Sequence, residues 1–151
     1  MPPGSKKKRK GGLGKEVMAI WRELSFTTRA ATDFLDITRD LAADLQKAGI
    51  RTGTGTVFVP HTTAGIMLNE NADPDVLYDL KQALDKIFPH SLNVAHAEGN
   101  SAAHLKAALI GSSVTLPVED GRLRLGTWQG VYFCEFDGPR RRKLLVRWEG
   151  N

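Results

Sequence analysis

The amino-acid sequence predicts one α+β domain with mostly antiparallel, sandwich-like sheets and about three helices. The chain has 151 residues, a length typical of a single domain with a substantial core. Strand-like segments outnumber helical ones, and the chain after Gly111 contains strand-like segments alone. Strands that are grouped along the sequence, rather than alternating with helices, are typical of antiparallel sheets.

The first predicted elements are two strands and a helix. Residues 18–28 alternate between apolar and polar side chains, and residues 32–37 form a short second strand. Thr38 is suited to N-cap a helix that runs to residue 48, because its hydroxyl can accept a hydrogen bond from a free backbone N–H. Gly49 follows as the expected helix stop.

Two strands in the middle of the chain are predicted to place polar side chains at their ends. Residues 54–59 and 65–68 are rich in β-branched and apolar side chains. Pro60 ends the first strand because it cannot donate to a sheet ladder, and His61 follows it directly. Functional groups are commonly displayed where a strand gives way to a loop.

Helix caps predict two further helices. Asp73 is the expected N-cap of an amphipathic helix over residues 74–88, with a proline in its first turn. The third helix begins at Asn100 or Ser101 and ends near residue 110, before a glycine.

The remaining strands are predicted from turn signals. The pair Asp120-Gly121 is a strong type I′ hairpin signal, and a second turn is expected over residues 137–140. The strands expected in this part of the chain cover residues 93–95, 113–119, 122–125, 128–136 and 141–148.

Composition and charge limit the classes of function. Apolar residues make up 41% and charged residues 25% of the chain, as in ordinary soluble proteins, and no apolar run is long enough to span a membrane. Residues 1–17 form a basic leader, expected to be disordered or foreign to the domain, which covers residues 18–151. The leader holds six basic residues and one acid, so the domain has a formal net charge of −1. Nucleic-acid binding is therefore expected only through the leader.

The single cysteine predicts the compartment. Cys134 rules out an internal disulfide and fits a reducing cytoplasm, which is the expected location. It lies within an apolar strand, so a buried structural thiol is expected.

Three of the four histidines are predicted to converge. His104 lies roughly 200° around its helix from Lys106, and if Lys106 faces solvent, His104 faces inward. His96 lies just before the same helix, and His61 ends a strand, whereas His90 is expected in an exposed loop. Three neutral imidazoles with one open position are the pattern of a catalytic zinc site. The alternative is a cluster that transfers protons or binds an anion.

Three segments, residues 60–76, 96–114 and 113–131, resemble the YjbQ-like family, sometimes labelled secondary thiamine-phosphate synthase. The last segment matches the family signature in Ser113, Gly121 and the sequence Gly-Thr-Trp-Gln at 126–129. The resemblance covers about residues 20–149 and implies a compact α+β fold and a homotrimer. It also implies a pocket with the residues His61, His96, His104, Trp128 and Gln129. The activity implied is the joining of a pyrimidine diphosphate to a thiazole phosphate.

Our first hypothesis is therefore an enzyme acting on a small phosphorylated metabolite at a histidine centre, with a divalent metal such as Zn²⁺. Glu70 is a candidate general base or orienter of a histidine. The candidate substrate contacts are Thr62, Thr63, Asn100, Ser113, Trp128 and Gln129. Two alternatives remain open: a non-catalytic metal- or ligand-binding trimer, and a nuclear or nucleic-acid role of the leader.

Overall fold

The computed structural model describes residues 20–92 and 94–151, so the predicted leader lies outside the described residues. Eight strands and three helices follow one another along this part of the chain. They are β1 Arg22–Thr27, β2 Asp33–Asp36, α1 Thr38–Ala48, β3 Gly53–Phe58, β4 Ala64–Glu70, α2 Pro74–Ile87, α3 Ser101–Ile110, β5 Ser113–Glu119, β6 Arg122–Leu123, β7 Gln129–Glu135 and β8 Arg141–Gly150.

The strands form two antiparallel sheets. The larger sheet has five strands in the order β1-β8-β3-β5-β6, and the smaller has three in the order β2-β7-β4. Every pairing between these strands is antiparallel. The predicted α+β class with antiparallel sheets and three helices is confirmed.

The main core lies between the two sheets and α1. Alternating residues of β8, such as Leu144 and Val146, face the core, because successive side chains of a strand point to opposite faces. Phe133 of the smaller sheet is fully buried against them, and Leu41 and Leu45 of α1 close the same cluster. The helix therefore packs with its apolar stripe inward, as its sequence predicts.

A second apolar cluster attaches α2 and α3 to the outer face of the smaller sheet. Leu84 of α2 and Ala103 and Ala107 of α3 pack there with Tyr132 and Cys134 of β7. The predicted burial of the Cys134 thiol is confirmed, since the residue is fully buried, and burial raises the pKa of the thiol far above its ordinary value. None of the described helices is both long and apolar enough to cross a bilayer.

The predicted helix caps and turns are mostly confirmed. Asp73 caps α2 by accepting a hydrogen bond from the backbone N–H of Asp75 at 2.9 Å. Gly49 ends α1 with a φ of 71°, a left-handed conformation that glycine adopts without strain. Asp120 and Gly121 have φ of 52° and 72°, as a type I′ turn requires.

Two local predictions are wrong. Thr38 is the first residue of α1 rather than its N-cap, which is Ile37. The Thr38 hydroxyl instead donates to Asp36 at 2.6 Å and accepts from the backbone N–H of Val131 at 2.9 Å, which ties the helix to β7. The expected strand at 93–95 is not formed by residues 94 and 95, and residue 93 is outside the described residues.

Gly55 provides a stability test of the packing between β3 and β8. A Cβ added at Gly55 would overlap the indole ring of the buried Trp148. We expect Gly55→Ala to lower the free energy of unfolding by about 1–3 kcal/mol, the usual cost of overpacking a core. Urea unfolding would measure the loss.

Gly126→Ala is the matched control for Gly55→Ala. The nearest atom to its added Cβ is the side-chain oxygen of Gln129, at 3.3 Å, which can move. We expect this control to change stability far less. Equal losses in the two variants would contradict the packing assigned to Gly55.

Candidate functional site

A cavity of about 700 Å³ opens at one end of the sandwich, where β3 ends, β4 begins and α3 begins. We call it the histidine cavity. Its wall combines two histidines, two arginines, two carboxylates and several hydroxyl and amide groups. The polar side chains in the wall are His61, Thr62, Thr63, Glu98, Asn100, His104, Ser112, Asp137, Arg140 and Arg142.

His61 is held by the backbone of β8. Phe58 pairs with Leu145. Two residues further along the same register, Lys143 lies opposite Pro60, which has no N–H to donate. Nε2 of His61 takes that place and lies 3.0 Å from both the N and the O of Lys143. We assign Nε2 as the acceptor of the Lys143 N–H, which lacks a strand partner because Pro60 stands opposite it, and this assignment places the ring proton on Nδ1.

His61 is neutral at pH 7. Burial, together with the positive charge of Arg142, lowers the pKa of His61 below the ordinary value of 6.5. A neutral imidazole with its proton on Nδ1 is a hydrogen-bond donor at that atom. The ring can therefore donate to an oxygen atom of a ligand in the cavity.

A buried ion pair stands behind His61. Nε and Nη2 of Arg142 donate to the two carboxylate oxygens of Glu135, at 2.8 and 2.5 Å. Nη2 also donates to Oγ1 of Thr63 at 2.7 Å, and Thr28 donates to Glu135 at 2.8 Å. The side chains of Arg142 and Glu135 are only 4% and 0% exposed. This network fixes the turn that carries His61 and Thr63.

Glu135 keeps the network charged. Burial alone would raise the pKa of the Glu135 carboxyl, but the hydrogen bonds from Arg142, Thr28 and the backbone N–H of Asp137 outweigh burial and lower it. The carboxylate is therefore ionised at pH 7 and balances the guanidinium charge of Arg142.

Nη1 of Arg142 is free to meet a ligand. None of the hydrogen bonds found between described residues uses Nη1. An atom that is both buried and without a hydrogen bond would be unsatisfied. Among the same residues, Oδ1 of Asn100 and Nε of Arg147 are the only such side-chain atoms, so Nη1, which also has no partner, must be accessible. Because Arg142 lines the cavity, we assign Nη1 to the cavity surface.

Asn100, Asp137 and Arg140 form one wall of the cavity. Nδ2 of Asn100 donates to Asp137 at 3.0 Å, and Arg140 donates to the same carboxylate at 3.1 Å. Arg140 is half-exposed, so its guanidinium is accessible as a second positive group. Asn100 also occupies the N-cap position of α3, where the first turn has no acidic side chain and no side-chain cap. A helix N-terminus of this kind favours negative charge nearby.

His104 lies at the junction of three cavities. It lines the histidine cavity, a notch formed by Ala64, Ala107 and Ala108, and an apolar recess beside His96. The ring centroids of His96 and His104 are 5.2 Å apart in an edge-to-face arrangement. The two histidines are therefore neighbours, as the sequence predicts.

His104 does not face inward as the helical phase predicts. Lys106 does not face solvent: it is 8% exposed and donates to Asp85 at 2.6 Å. His104 is half-buried on the more open side of α3. It reaches the cavity because α3 packs against the start of β4, and not because it faces the core.

The three predicted metal ligands are not brought together. His61 shares the histidine cavity with His104, and the rings of His104 and His96 are neighbours, but His96 is not in the wall of the histidine cavity. Among residues 20–92 and 94–151, no group of three His, Cys, Asp or Glu side chains is arranged to hold a metal ion. The donor set as it stands does not fit a zinc site, and zinc stays a prediction from the sequence.

Besides His96, four predicted site residues lie outside the wall of the histidine cavity. Along β4 and β7, Ala64 pairs with Glu135 and Glu70 pairs with Gln129, which places Glu70 roughly 20 Å from the cavity end of the sheet. Trp128, 62% exposed, is at the same distant end. Ser113 is replaced in the wall by Ser112. Within one copy of the chain, Glu70, Ser113, Trp128 and Gln129 are therefore not contacts of the histidine cavity.

The buried pair of Arg142 and Glu135 is not among the residues predicted from the sequence. The sequence contained the evidence for this pair. Arg142 alternates in step with Leu144 and Val146 of β8, so it lies on the same face of the strand, and Glu135 lies within an apolar run. A charged residue on the inward face of a strand needs a partner of opposite charge. Strand alternation applied to both segments would have predicted the pair.

Comparison with known proteins gives a consistent result. The family model described as "UPF0047 protein YjbQ-like" matches residues 22–151. YugU of Bacillus subtilis, also a UPF0047 protein, is 49% identical over 131 residues, which are 85% of this chain and 98% of YugU. A UPF0047 protein of Methanocaldococcus jannaschii is 45% identical over 120 residues, covering 80% of this chain and 87% of that protein.

Solved structures share the fold. A crystal structure of an uncharacterised YjbQ/UPF0047 protein from Clostridium acetobutylicum is 51% identical, covers 84% of this chain and 98% of that chain, and has a TM-score of 0.82. A protein of unknown function from Sulfolobus solfataricus is 29% identical, with a TM-score of 0.83 and coverage of 88% and 98%.

Proposed function

Because the chain belongs to the YjbQ-like UPF0047 family, whose function is uncharacterised, we propose a function from the histidine cavity itself. The cavity binds a small metabolite through an anionic group such as a phosphate. His61 donates a hydrogen bond to that group, and His104 exchanges a proton with the substrate. This is the chemistry of an enzyme acting on a small phosphorylated metabolite.

One observation carries the proposal: the side chain of Arg142 is only 4% exposed, yet it lines the cavity. Burying an arginine costs free energy unless it is paired and fully hydrogen-bonded. Glu135 and Thr63 fix three of its N–H groups, which holds the accessible Nη1 rigidly. A preorganised donor of this kind binds an oxyanion without reordering.

The two histidines suit different tasks. His61 is neutral and anchored to Lys143, so it supports binding. His104 has no hydrogen bond to another described side chain and contacts His96, so its ring nitrogens are available for proton transfer. A turnover assay on phosphorylated substrates separates this proposal from the alternative of a non-catalytic binding protein.

Thiamine-phosphate synthesis stays a prediction from the resemblance. That reaction expels pyrophosphate and commonly uses Mg²⁺ held by carboxylates. Of the carboxylates near the cavity, Asp137 is bonded to Asn100 and Arg140, and Glu135 to Arg142. Glu98 is 77% exposed, with Oε2 3.8 Å from Nε2 of His96, so one carboxylate alone remains accessible for a magnesium ion. The site supports the binding of an anion better than it supports the binding of a magnesium-diphosphate complex.

Phosphate affinity tests the proposal. We expect inorganic phosphate to bind wild-type protein and Arg140→Gln to weaken this binding by about tenfold, as expected for the loss of one hydrogen bond to a charged group. Arg39→Gln is the control, because Arg39 is exposed in α1, away from the cavity. Isothermal titration calorimetry at low salt would measure both. No binding to wild type, or equal losses in both variants, would contradict the proposal.

We further propose that the protein assembles as a homotrimer, which the family resemblance implies. Large apolar side chains on the surface support self-association: Trp128 is 62% and Leu109 is 59% exposed. We expect a trimer in sedimentation equilibrium that persists in roughly 0.5 M salt. At that salt concentration surface charges are screened within a few ångströms, which weakens a charged interface but not an apolar one. A monomer at micromolar concentration would rule the assembly out.

A further inference from the structure

A second cavity adjoins the histidine cavity. It has a volume of about 360 Å³ and lies between α3 and the start of β4. We call it the alanine notch, because Ala64, Ala107 and Ala108 line it together with Gly111. The other residues of its wall also line the histidine cavity, so one bound molecule can occupy both spaces. The shared residues are His61, Thr62, His104 and Ser112.

Backbone hydrogen bonds fix the shape of the alanine notch. The carbonyl oxygen of Gly111 accepts from the backbone N–H of Ile66 at 3.0 Å. The carbonyl oxygen of Ser112 accepts from the backbone N–H of Val59 at 2.8 Å. A Cβ added at Gly65 would lie 2.6 Å from the carbonyl oxygen of Gly111, so a glycine at this position lets the end of α3 approach β4 closely. The notch is therefore built from backbone that is held in place.

The wall of the alanine notch is suited to uncharged groups. None of the described residues that line it is an aspartate, glutamate, lysine or arginine. Two of its alanines, Ala64 and Ala107, are 1% and 7% exposed. A charged group in the notch would lose hydration without gaining a partner of opposite charge, whereas burial of methyl and methylene groups is favourable. The notch therefore favours a carbon body without charge.

The histidine cavity supplies the anchor that the alanine notch lacks. Nη1 of Arg142 and Nδ1 of His61 are the donors that we assign to an oxyanion, and Arg142 is only 4% exposed. Arg142 does not line the notch, whereas His104 lies in the wall of both cavities. A ligand with its anionic group at Arg142 and its carbon body in the notch therefore has the bond between these two parts beside His104.

We propose that the alanine notch selects the substrate of the histidine cavity by receiving the compact, uncharged carbon body of a phosphomonoester. This inference rests on the oxyanion binding proposed for the histidine cavity. Ala108 limits the size of the body, because a longer side chain at this position would occupy the notch. The linking oxygen of the ester lies beside His104, the residue to which we assign proton exchange.

Two phosphomonoesters test the alanine notch in the wild-type protein. Butyl phosphate has an uncharged body, and aminopropyl phosphate has a body of the same length that ends in an ammonium group. We expect butyl phosphate to bind about tenfold more tightly than inorganic phosphate, as expected when roughly two of its methylene groups are buried. Aminopropyl phosphate should bind no more tightly than inorganic phosphate. Isothermal titration calorimetry at low salt would measure all three affinities.

Ala108→Leu tests the size limit. Residues four apart on a helix are neighbours, so the longer side chain extends toward His104 and fills the alanine notch. We expect it to remove the advantage of butyl phosphate over inorganic phosphate, which does not reach the notch. Ala108→Ser, which adds only a hydroxyl group, should keep this advantage. Ala43→Leu is the matched control, because Ala43 is exposed on α1 and lines neither cavity.

The alanine notch and the oxyanion site fail in different ways. If wild-type protein binds inorganic phosphate and butyl phosphate equally, or if the advantage of butyl phosphate survives Ala108→Leu, the notch is overturned and the proposed function stands. Equal losses of both ligands in Ala108→Leu also overturn the notch, because the substitution would then act on the anion site. If wild-type protein binds no inorganic phosphate, the oxyanion site is contradicted and the notch falls with it.

Discussion

Arg142→Met is expected to destabilise the protein by about 3–5 kcal/mol, because it leaves the carboxylate of Glu135 buried without its partner. Both side chains are almost fully enclosed, and two hydrogen bonds join them. The double variant Arg142→Met, Glu135→Leu should recover much of the loss, because it removes both charges. Urea unfolding at pH 7 would measure these changes.

The pH dependence of stability identifies the cause of this loss. In wild type the pKa of Glu135 is lowered below its ordinary value of 4.5, so the stability it contributes is present above pH 4.5 and is lost as the pH falls through the folded-state pKa. In Arg142→Met, burial without a partner raises the pKa of Glu135 instead. The variant should therefore regain part of its stability as the pH falls from 7 through this raised pKa towards 4.5, a range in which wild type keeps the contribution of Glu135. A constant difference between pH 7 and pH 4 would contradict the buried charge as the cause.

Phe133→Ala is expected to cost about 3–5 kcal/mol, the usual range when a buried phenylalanine is truncated. The ring is fully buried between the two sheets and lies 6.0 Å, centroid to centroid, from Phe26. The cavity left by the ring would lie where both sheets and α1 meet, which limits collapse of the surrounding side chains. Thermal and urea unfolding would both report the loss.

Tyr78→Ala is the control for Phe133→Ala. Tyr78 is an aromatic residue of α2 that is 63% exposed, and alanine favours a helix. We expect a change within about 0.5 kcal/mol, as for other surface substitutions. A loss as large as that of Phe133→Ala would show that Tyr78 is covered in the assembled protein.

The elements were predictable because local patterns specify them. Alternation in β8, the Asp73 cap of α2 and the Asp120-Gly121 turn each depend on a few adjacent residues. The pairing of the two sheets depends on contacts between distant segments, such as β3 with β8. A single sequence contains no direct signal for such contacts, so only the fold class was predicted.

The candidate site was predicted in part for the same reason. His61, Thr63 and Asn100 were found because they lie at strand ends or helix starts. His104 was found from a helical phase that assumed an exposed Lys106, which is in fact buried. Lys106 was misplaced because a lysine in a helix usually faces solvent, and here Asp85 of another helix offsets its burial. Glu70 and Trp128 were assigned to the site, although they lie at the opposite end of the smaller sheet, where β4 ends and β7 begins.

The location of a bound oxyanion tests the central proposal most directly. Crystals grown without phosphate or sulfate would be soaked in tungstate, whose anomalous scattering marks its position. We predict a tungstate peak in the histidine cavity, within hydrogen-bonding distance of Nη1 of Arg142 and Nδ1 of His61. A histidine cavity without a peak, in crystals where tungstate is well ordered at other positions, would contradict the proposed oxyanion site.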